Sequence, residues 1–178
     1  MADAVFSRWP WAPGLTDREA RALFDATGGW PLRSVEGEEE LALLRHDGQL
    51  PATPAGGAHY RLEQVSDTGP ASEPFGVIML VAFNVPADRA AEVDHWYDEE
   101  HIDLLMKADG WLRARRYRVQ SHGGGPQWTS MAFHELRDIS VMASRERAFA
   151  RSTAWRAELE KESWFPAAGR GVFRPLAR

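Results

Sequence analysis

Hydrophobic and polar positions divide the chain into two segments, of which residues 76–178 have the clearer pattern. The run GVIMLVAFNV (76–85) is apolar almost throughout, which is typical of a strand that is covered on both faces. Strand-like and helical periodicities alternate along the rest of this segment. They predict strands over 111–121, 128–136 and 170–177, and helices over 86–110 and 137–163.

The resulting element order is βαββαβ, which is the order of a ferredoxin-like α+β unit. Both helices of this unit lie on one face of an antiparallel sheet. The other face then needs an apolar cover, and we expect another sheet to supply it.

Residues 1–75 show weaker patterns. Thr16 and Glu19 have the spacing of a capping box and predict a helix within 13–29. Strands are predicted over 4–9, 31–37, 40–48 and 59–65. We therefore divide the chain into an N-terminal segment (1–75), interpreted as a shorter, degenerate half-repeat, and a ferredoxin-like domain (76–178). Either this first segment or a second chain would cover the sheet.

The stretch HWYDEEHIDLL (95–105) carries the candidate chemistry. At about 100° per residue, an α-helix places Glu100 near the middle of its apolar side, with His101 at the edge. A carboxylate in that position must be paired, hydrogen-bonded or protonated, because an isolated buried charge is very costly. The same side of the helix carries Val93, Trp96, Tyr97 and Leu104.

Two interpretations of Glu100 remain open at this point. In the first, Glu100 pairs with an arginine of the next strand, and the helix motif is architectural. In the second, Glu100 orients His101, which transfers a proton on a bound substrate, because an imidazole titrates near neutral pH. The candidate arginines are Arg113, Arg115, Arg116 and Arg118.

Residues 83–117 contain a Trp-Tyr pair, a Glu-His pair, a glycine turn and an Ala-Arg-Arg-Tyr strand. In this order they resemble the dimeric α+β barrel superfamily and, more narrowly, its EthD-like proteins. The resemblance implies a barrel closed between units or chains, with a homodimer as the expected assembly. Members of the superfamily include isomerases, cyclases, cofactor-free monooxygenases, haem-active enzymes and proteins without known activity. One departure is Asp103, where proline is common in the family.

These observations favour a cofactor-independent enzyme that catalyses a proton transfer, of isomerase, cyclase or lyase type, on a small apolar or aromatic carbonyl compound. One alternative is a cofactor-free or haem-dependent monooxygenase, and another is a non-catalytic ligand-binding barrel. The expected catalytic residues are His101 as acid and base, Glu100 as its orienting partner, or as the proton carrier if its pKa is raised, and Tyr97 as donor to an oxyanion. Arg116 is expected to hold Glu100 or a substrate carboxylate. The expected substrate-binding residues are Trp96, Arg116, His134 and Leu104, with His134 interpreted as facing the barrel interior.

Composition narrows the partners further. The formal net charge of -5 argues against nucleic acid as a partner, and the absence of cysteine excludes thiolate metal sites and cysteine nucleophiles. The longest apolar run is too short to span a bilayer, so we expect no membrane association and a cytoplasmic location. We also expect no metal, because His95 and His101 fall on different helix faces.

Overall fold

The structure of the protein is a computed structural model. It describes residues 3–24, 29–37, 39–46 and 56–176. Thr16 and Glu19 form the predicted capping box, with the Thr16 hydroxyl accepting from the backbone N–H of Glu19 and the Glu19 carboxylate accepting from that of Thr16. The helix that they begin ends at Ala22. The predicted helix extended to residue 29, but residues 25–28 lie outside the described part. The first segment contains β1 (Asp3–Pro10), α1 (Asp17–Ala22), β2 (Trp30–Ser34), β3 (Glu40–His46) and β4 (Ala58–Asp67).

The second segment has the predicted order βαββαβ, so the ferredoxin-like unit is confirmed. Each predicted helix is broken into shorter pieces, and the first ends at Leu105 rather than near residue 110. Short 3-10 turns at Ala87–Arg89 and Ile139–Ala143 precede the two helical regions. The main elements are β5 (Val77–Phe83), α2 (Ala90–Trp96), α3 (Ile102–Leu105), β6 (Trp111–Gly123), β7 (Ser130–Leu136), α4 (Arg145–Ala150), α5 (Ala154–Leu159) and β8 (Gly169–Pro175).

The strands form one closed barrel within the single chain, in the order β1-β3-β2-β8-β5-β7-β6-β4. Every neighbouring pair is antiparallel. The first segment contributes the run β4-β1-β3-β2 and the second contributes β8-β5-β7-β6, so both halves use the same internal strand order. Contacts of β4 with β6 and of β2 with β8 join the halves. The interpretation of residues 1–75 as a degenerate repeat stays a prediction.

The barrel interior is packed with apolar side chains from both halves. Phe6 is in edge contact with Phe133 and Phe173, with ring centroids 5.2 and 6.1 Å apart. The inner face of each half is therefore covered by the other half, as the need for a second sheet predicted. Further members of this core are Leu32, Leu44, Tyr60, Leu62, Ile78, Leu80, Tyr117 and Met131.

Helices α2 to α5 pack on the outer face of the second half. Phe83 of β5 contacts Trp164 and Phe165, with ring centroids 5.5 and 4.9 Å apart. Ala114 of β6 and Ala132 of β7 belong to the same cluster, together with residues of α2 and α5. The candidate site lies in the layer between the sheet and these helices. Among the described residues, no helix has the length and apolar character needed to cross a bilayer.

Candidate active site

A π-helical turn, Tyr97–His101, lies between α2 and α3. Its backbone bond runs from the Ile102 N–H to the Tyr97 carbonyl, so the turn contains one residue more than an α-helical turn. The extra residue rotates the following side chains. His101 is therefore buried on the same side as Tyr97, whereas Glu100 is half-buried.

The predicted position of Glu100 in the middle of the buried face is therefore wrong. The prediction assumed a uniform α-helix, and the π-turn places His101 where the uniform helix would place Glu100. The Glu100 carboxylate accepts a hydrogen bond from the Thr153 hydroxyl at 2.7 Å, just before α5 begins. None of the four candidate arginines pairs with it. The Glu100 carboxylate therefore needs no buried partner, because the π-turn keeps it off the buried side of the helix.

A cavity of about 280 Å³ opens between the outer face of the second half and the helices. Its volume lies just below the range of about 300–1,000 Å³ that is typical of small-molecule sites. It brings together four of the predicted site residues, Trp96, Tyr97, His101 and His134, but not Glu100, Leu104 or Arg116. The rest of its wall is mainly apolar and comes from strands, from α3 and from the segments beside the helices. Its apolar members include Phe83, Leu105, Trp111, Met142, Phe165 and Val172. Four arginines also line the cavity: Arg147, Arg151, Arg156 and Arg170.

His101 is a neutral imidazole at physiological pH. Burial lowers its pKa to about 3, and the positive charges of Arg156, Arg151 and Arg147 act in the same direction, while a hydrogen bond to the Ala150 backbone opposes them. Its Nδ1 is buried and has no hydrogen-bond partner among the described residues.

His134 lies on the opposite wall of the same cavity. Burial lowers its pKa to about 3 as well, and the charges of His101, Arg147 and Arg116 add to this effect. Its Nδ1 accepts a hydrogen bond from the Trp111 indole at 3.2 Å, so the neutral ring of His134 carries its proton on Nε2.

The prediction that His134 faces the barrel interior is wrong. On β7 the interior residues are Met131 and Phe133, and His134 alternates with them, so it points outward toward the helices. Alternation defines the two faces of a strand but does not say which face is enclosed. His134 reaches the candidate site from outside the barrel.

Arg116 also faces outward, but it does not reach the cavity. The residue is 1% exposed, and its guanidinium donates to Asp98 at 2.9 Å and pairs with Asp94. It also lies over the Tyr97 ring, 4.2 Å from the centroid. The predicted roles of Arg116, holding Glu100 or a substrate carboxylate, do not match this geometry, because two aspartates of the helix already occupy the guanidinium.

Leu104 is half-buried and lies in a separate shallow hollow beside Lys107 and Phe149. The π-turn is again the reason, because it places Leu105 on the inner side of the helix, where it lines the cavity. The predicted contact of Leu104 with substrate is therefore corrected to Leu105.

Sequence reasoning missed the arginines. The alternating charges of residues 145–161 predict a solvated helix face, yet Arg147, Arg151 and Arg156 line the cavity. Arg156 is 7% exposed and lies over the Phe165 ring, 5.2 Å from the centroid. The available signal was the i, i+4 spacing of Arg147 and Arg151, which places both on one side of a helix.

Tyr97 remains protonated at neutral pH, because burial raises its pKa to about 12. Its phenol can therefore donate a hydrogen bond. Within the described part of the chain, no three histidine, aspartate or glutamate side chains come close enough together to hold a metal ion. The side chains that line the cavity offer imidazoles, a phenol, guanidinium groups and the Glu36 carboxylate.

The sequence matches no family model and no curated protein significantly. Solved structures do match. An anthrone oxidase-like protein superposes with a TM-score of 0.71 and 9% identity, covering 99% of this chain and 92% of that one. A ferredoxin fold protein from Listeria monocytogenes, related to antibiotic biosynthesis monooxygenases, superposes with a TM-score of 0.61 and 12% identity, covering 99% of this chain and 96% of that one. A heme-degrading enzyme from the same species superposes with a TM-score of 0.60 and 7% identity, covering 97% of this chain and 99% of that one.

At these identities the likeness concerns the fold alone. The chain is a ferredoxin-like α+β barrel protein, and its structural neighbours are of the antibiotic-biosynthesis monooxygenase type. Its cavity lies on the helix-covered side of one half of the barrel.

Proposed function

We propose that the protein is a monooxygenase that oxidises a small aromatic carbon acid without a resident cofactor. The observation that carries the proposal is the cavity itself, in which neutral His101 and His134 face guanidinium groups between aromatic walls. The names of the structural neighbours, which include an anthrone oxidase-like protein and a protein related to monooxygenases, give further support. They favour this activity over the isomerase, cyclase or lyase expected from the sequence.

The first step is the removal of a proton from an activated C–H group of the substrate. His101 accepts this proton through its neutral imidazole, which lines the cavity. Arg147, Arg151 and Arg156 make the imidazolium unfavourable in the empty cavity. They also stabilise the carbanion that forms, whose charge is delocalised onto a carbonyl oxygen. The stabilisation of the substrate anion thus offsets the cost of charging the imidazole.

The second step is a reaction of this carbanion with dioxygen. The carbanion transfers electrons to dioxygen, a C–O bond forms, and a proton converts the product into a hydroperoxide. Loss of the remaining proton on that carbon breaks the O–O bond and releases water. One methylene group and one dioxygen molecule thus give one carbonyl group and one water molecule. The substrate supplies all four electrons, and no other reductant is required.

Tyr97 and the aromatic walls have positioning roles in this mechanism. The Tyr97 phenol stays protonated and can donate a hydrogen bond to the carbonyl oxygen on which charge develops. Trp96 and Phe165 supply flat apolar surface for an aromatic ring. His134 completes the opposite wall, where its Nε2–H can donate a hydrogen bond to the hydroperoxide. His101, once it has returned its proton to the peroxide, is the acceptor for the last C–H proton.

The monooxygenase alternative expected from the sequence also included a haem-dependent form. The residues present fit it less well, because a cavity of about 280 Å³ suits a compact molecule better than a tetrapyrrole. Haem therefore has no part in the proposed mechanism.

Oxygen uptake with anthrone, after dialysis of the protein against a chelator, tests the proposal. We expect uptake above the spontaneous rate, anthraquinone as product and one labelled oxygen atom from isotopically labelled dioxygen. His101→Gln should lower the rate by about 100-fold, since general bases typically contribute this much. Glu100→Gln is the matched control and should stay within about threefold, because this side chain lies outside the cavity.

Two results would contradict the proposal. One is no uptake above the spontaneous rate with anthrone and with phenolic carbonyl compounds. The other is substrate hydrogen exchange in heavy water without any uptake of dioxygen, which would restore the proton-transfer enzyme of isomerase type. Membership of the EthD-like proteins, a homodimer and a cytoplasmic location remain part of this proposal, and they rest on the motif of residues 83–117 and on composition.

A further inference from the structure

The helix-covered cavity has a strongly positive rim. Arg147 and Arg151 come from α4 and its end, Arg156 from α5 and Arg170 from β8. On β8, Arg170 is in register with Val81, which also lines the cavity, so this arginine points to the same side of the sheet as the site. Two helices and a strand thus direct guanidinium groups to one place.

Most of these charges lack a carboxylate partner. Within residues 3–24, 29–37, 39–46 and 56–176, no acidic side chain forms an ion pair with Arg147, Arg151 or Arg170. Arg147 donates to the Met142 carbonyl at 2.7 Å. Elsewhere, the arginines Arg8, Arg113 and Arg137 all have carboxylate partners. Three arginines that line one cavity therefore have no carboxylate partner in the described part of the chain.

The guanidinium groups act on one another. Burial lowers the pKa of Arg147, and the charges of Arg151, Arg156 and Arg170 lower it further, while Glu36 opposes them. Arg156 is 7% exposed and pairs with Glu160, but its Nε has no partner among the described residues. An arrangement of mutually repelling cations beside unsatisfied donors is stabilised when an anion enters.

We propose that the substrate of this site is an aromatic carboxylate, whose carboxylate group binds to Arg147, Arg151 and Arg170 while its ring lies against Trp96 and Phe165. The planar fork of arginine matches a carboxylate with two parallel hydrogen bonds. Glu36 at the rim and Glu160 beside Arg156 already offset part of the positive charge, which favours a monoanion over a doubly charged phosphate. This inference rests on the proposed function, because it specifies the substrate of the same cavity.

Calorimetric binding of 1-naphthoate, compared with the neutral isostere 1-naphthamide, tests the inference without turnover. We expect the carboxylate to bind at least about tenfold more tightly, with a preference that decreases at high salt. Arg147→Gln and Arg170→Gln should each remove most of this preference. Arg170 is the safer variant for folding, because it is exposed and forms no ion pair in the described part of the chain.

Arg145→Gln is the matched control. Arg145 belongs to α4 as well, but its side chain is 95% exposed and pairs with Glu146 outside the cavity. We expect this variant to keep the preference for the carboxylate. The inference is overturned if naphthamide binds as tightly as naphthoate, if Arg145→Gln has the same effect as Arg170→Gln, or if 1-naphthyl phosphate binds more tightly than naphthoate.

These outcomes are separable from those of the proposed function. If the protein binds naphthoate selectively but catalyses no oxygen uptake with any anthrone, the proposed anion site is retained and the proposed monooxygenase activity is rejected. Oxygen uptake with neutral anthrone, together with equal binding of the two naphthalene probes, would retain the monooxygenase and reject the carboxylate.

Discussion

The imidazole of His101 stacks on the indole of Trp96, with ring centroids 4.3 Å apart and an interplanar angle of 24°. The two residues are five positions apart, a separation that puts side chains on different sides of an α-helix. The π-turn between them places both on the inner side. Turns of this kind are frequent at functional sites, and here it delivers a titratable group into an aromatic layer.

His101→Leu should make the protein more stable. The imidazole is buried with Nδ1 unpartnered among the described residues, which is a desolvation cost that a leucine of similar size does not have. We expect the free energy of unfolding in urea at pH 7 to rise by about 1 kcal/mol. Leu105→Ala, in the next turn, should instead lower it by about 2–5 kcal/mol through a cavity. A destabilised His101→Leu protein would show that the histidine has a structural role.

Acid should unfold the protein through its two buried histidines. Both have folded-state pKa values of about 3, below the ordinary 6.5, so below pH 6.5 the unfolded chain binds protons that the folded chain does not. Stability is therefore complete above pH 6.5 and decreases as the pH falls toward 3, by about 1.4 kcal/mol per pH unit for each histidine.

Urea unfolding across this range measures that slope. The double variant His101→Gln/His134→Gln should show a flatter profile than the native protein, because it lacks both titrating groups. NMR titration of the native protein should find both imidazoles neutral down to about pH 5, well above their folded-state pKa values. An imidazole that titrates near 6.5 would contradict the burial on which this prediction rests.

Glu135→Gln should be strongly destabilising. Glu135 accepts from the buried Arg115 at 2.6 Å, with side chains that are 3% and 1% exposed, and the Arg115 guanidinium also contacts His46. Removal of the carboxylate charge leaves a buried cation, which typically costs about 3–5 kcal/mol. Glu158→Gln, in the 68% exposed pair with Lys161, is the matched control and should cost less than about 1 kcal/mol. Equal losses in the two variants would rule out a special role for the buried pair.

Sequence patterns predicted the strands and their order well, because period-2 alternation and turn residues are local signals. The continuous apolar run at 76–85 became β5, and the capping box at Thr16 begins α1. Closure of the barrel within one chain was not predictable in this way. It depends on edge pairings such as β4 with β6, between residues that are far apart in the sequence.

The candidate site was predicted only in part, for two geometric reasons. A single extra residue in the helix exchanged Glu100 for His101 on the buried side, and no composition or periodicity reveals such an insertion in advance. The alternation of β7 identified a face shared by Ala132 and His134, but only the closed barrel shows that this face is the outer one. Trp96, Tyr97, His101 and His134 do line one cavity, and their roles in catalysis or binding stay a prediction.

Closure of the barrel within one polypeptide frees its halves from symmetry. In an assembly of two identical chains, every substitution appears twice, so a residue that favours catalysis in one subunit must also be tolerated at the equivalent place in the other. Here the half that carries α2 to α5 can specialise in chemistry, while the turn after β2 contributes Glu36 to the rim of a site it does not otherwise build. Each half can therefore change under its own selective pressure.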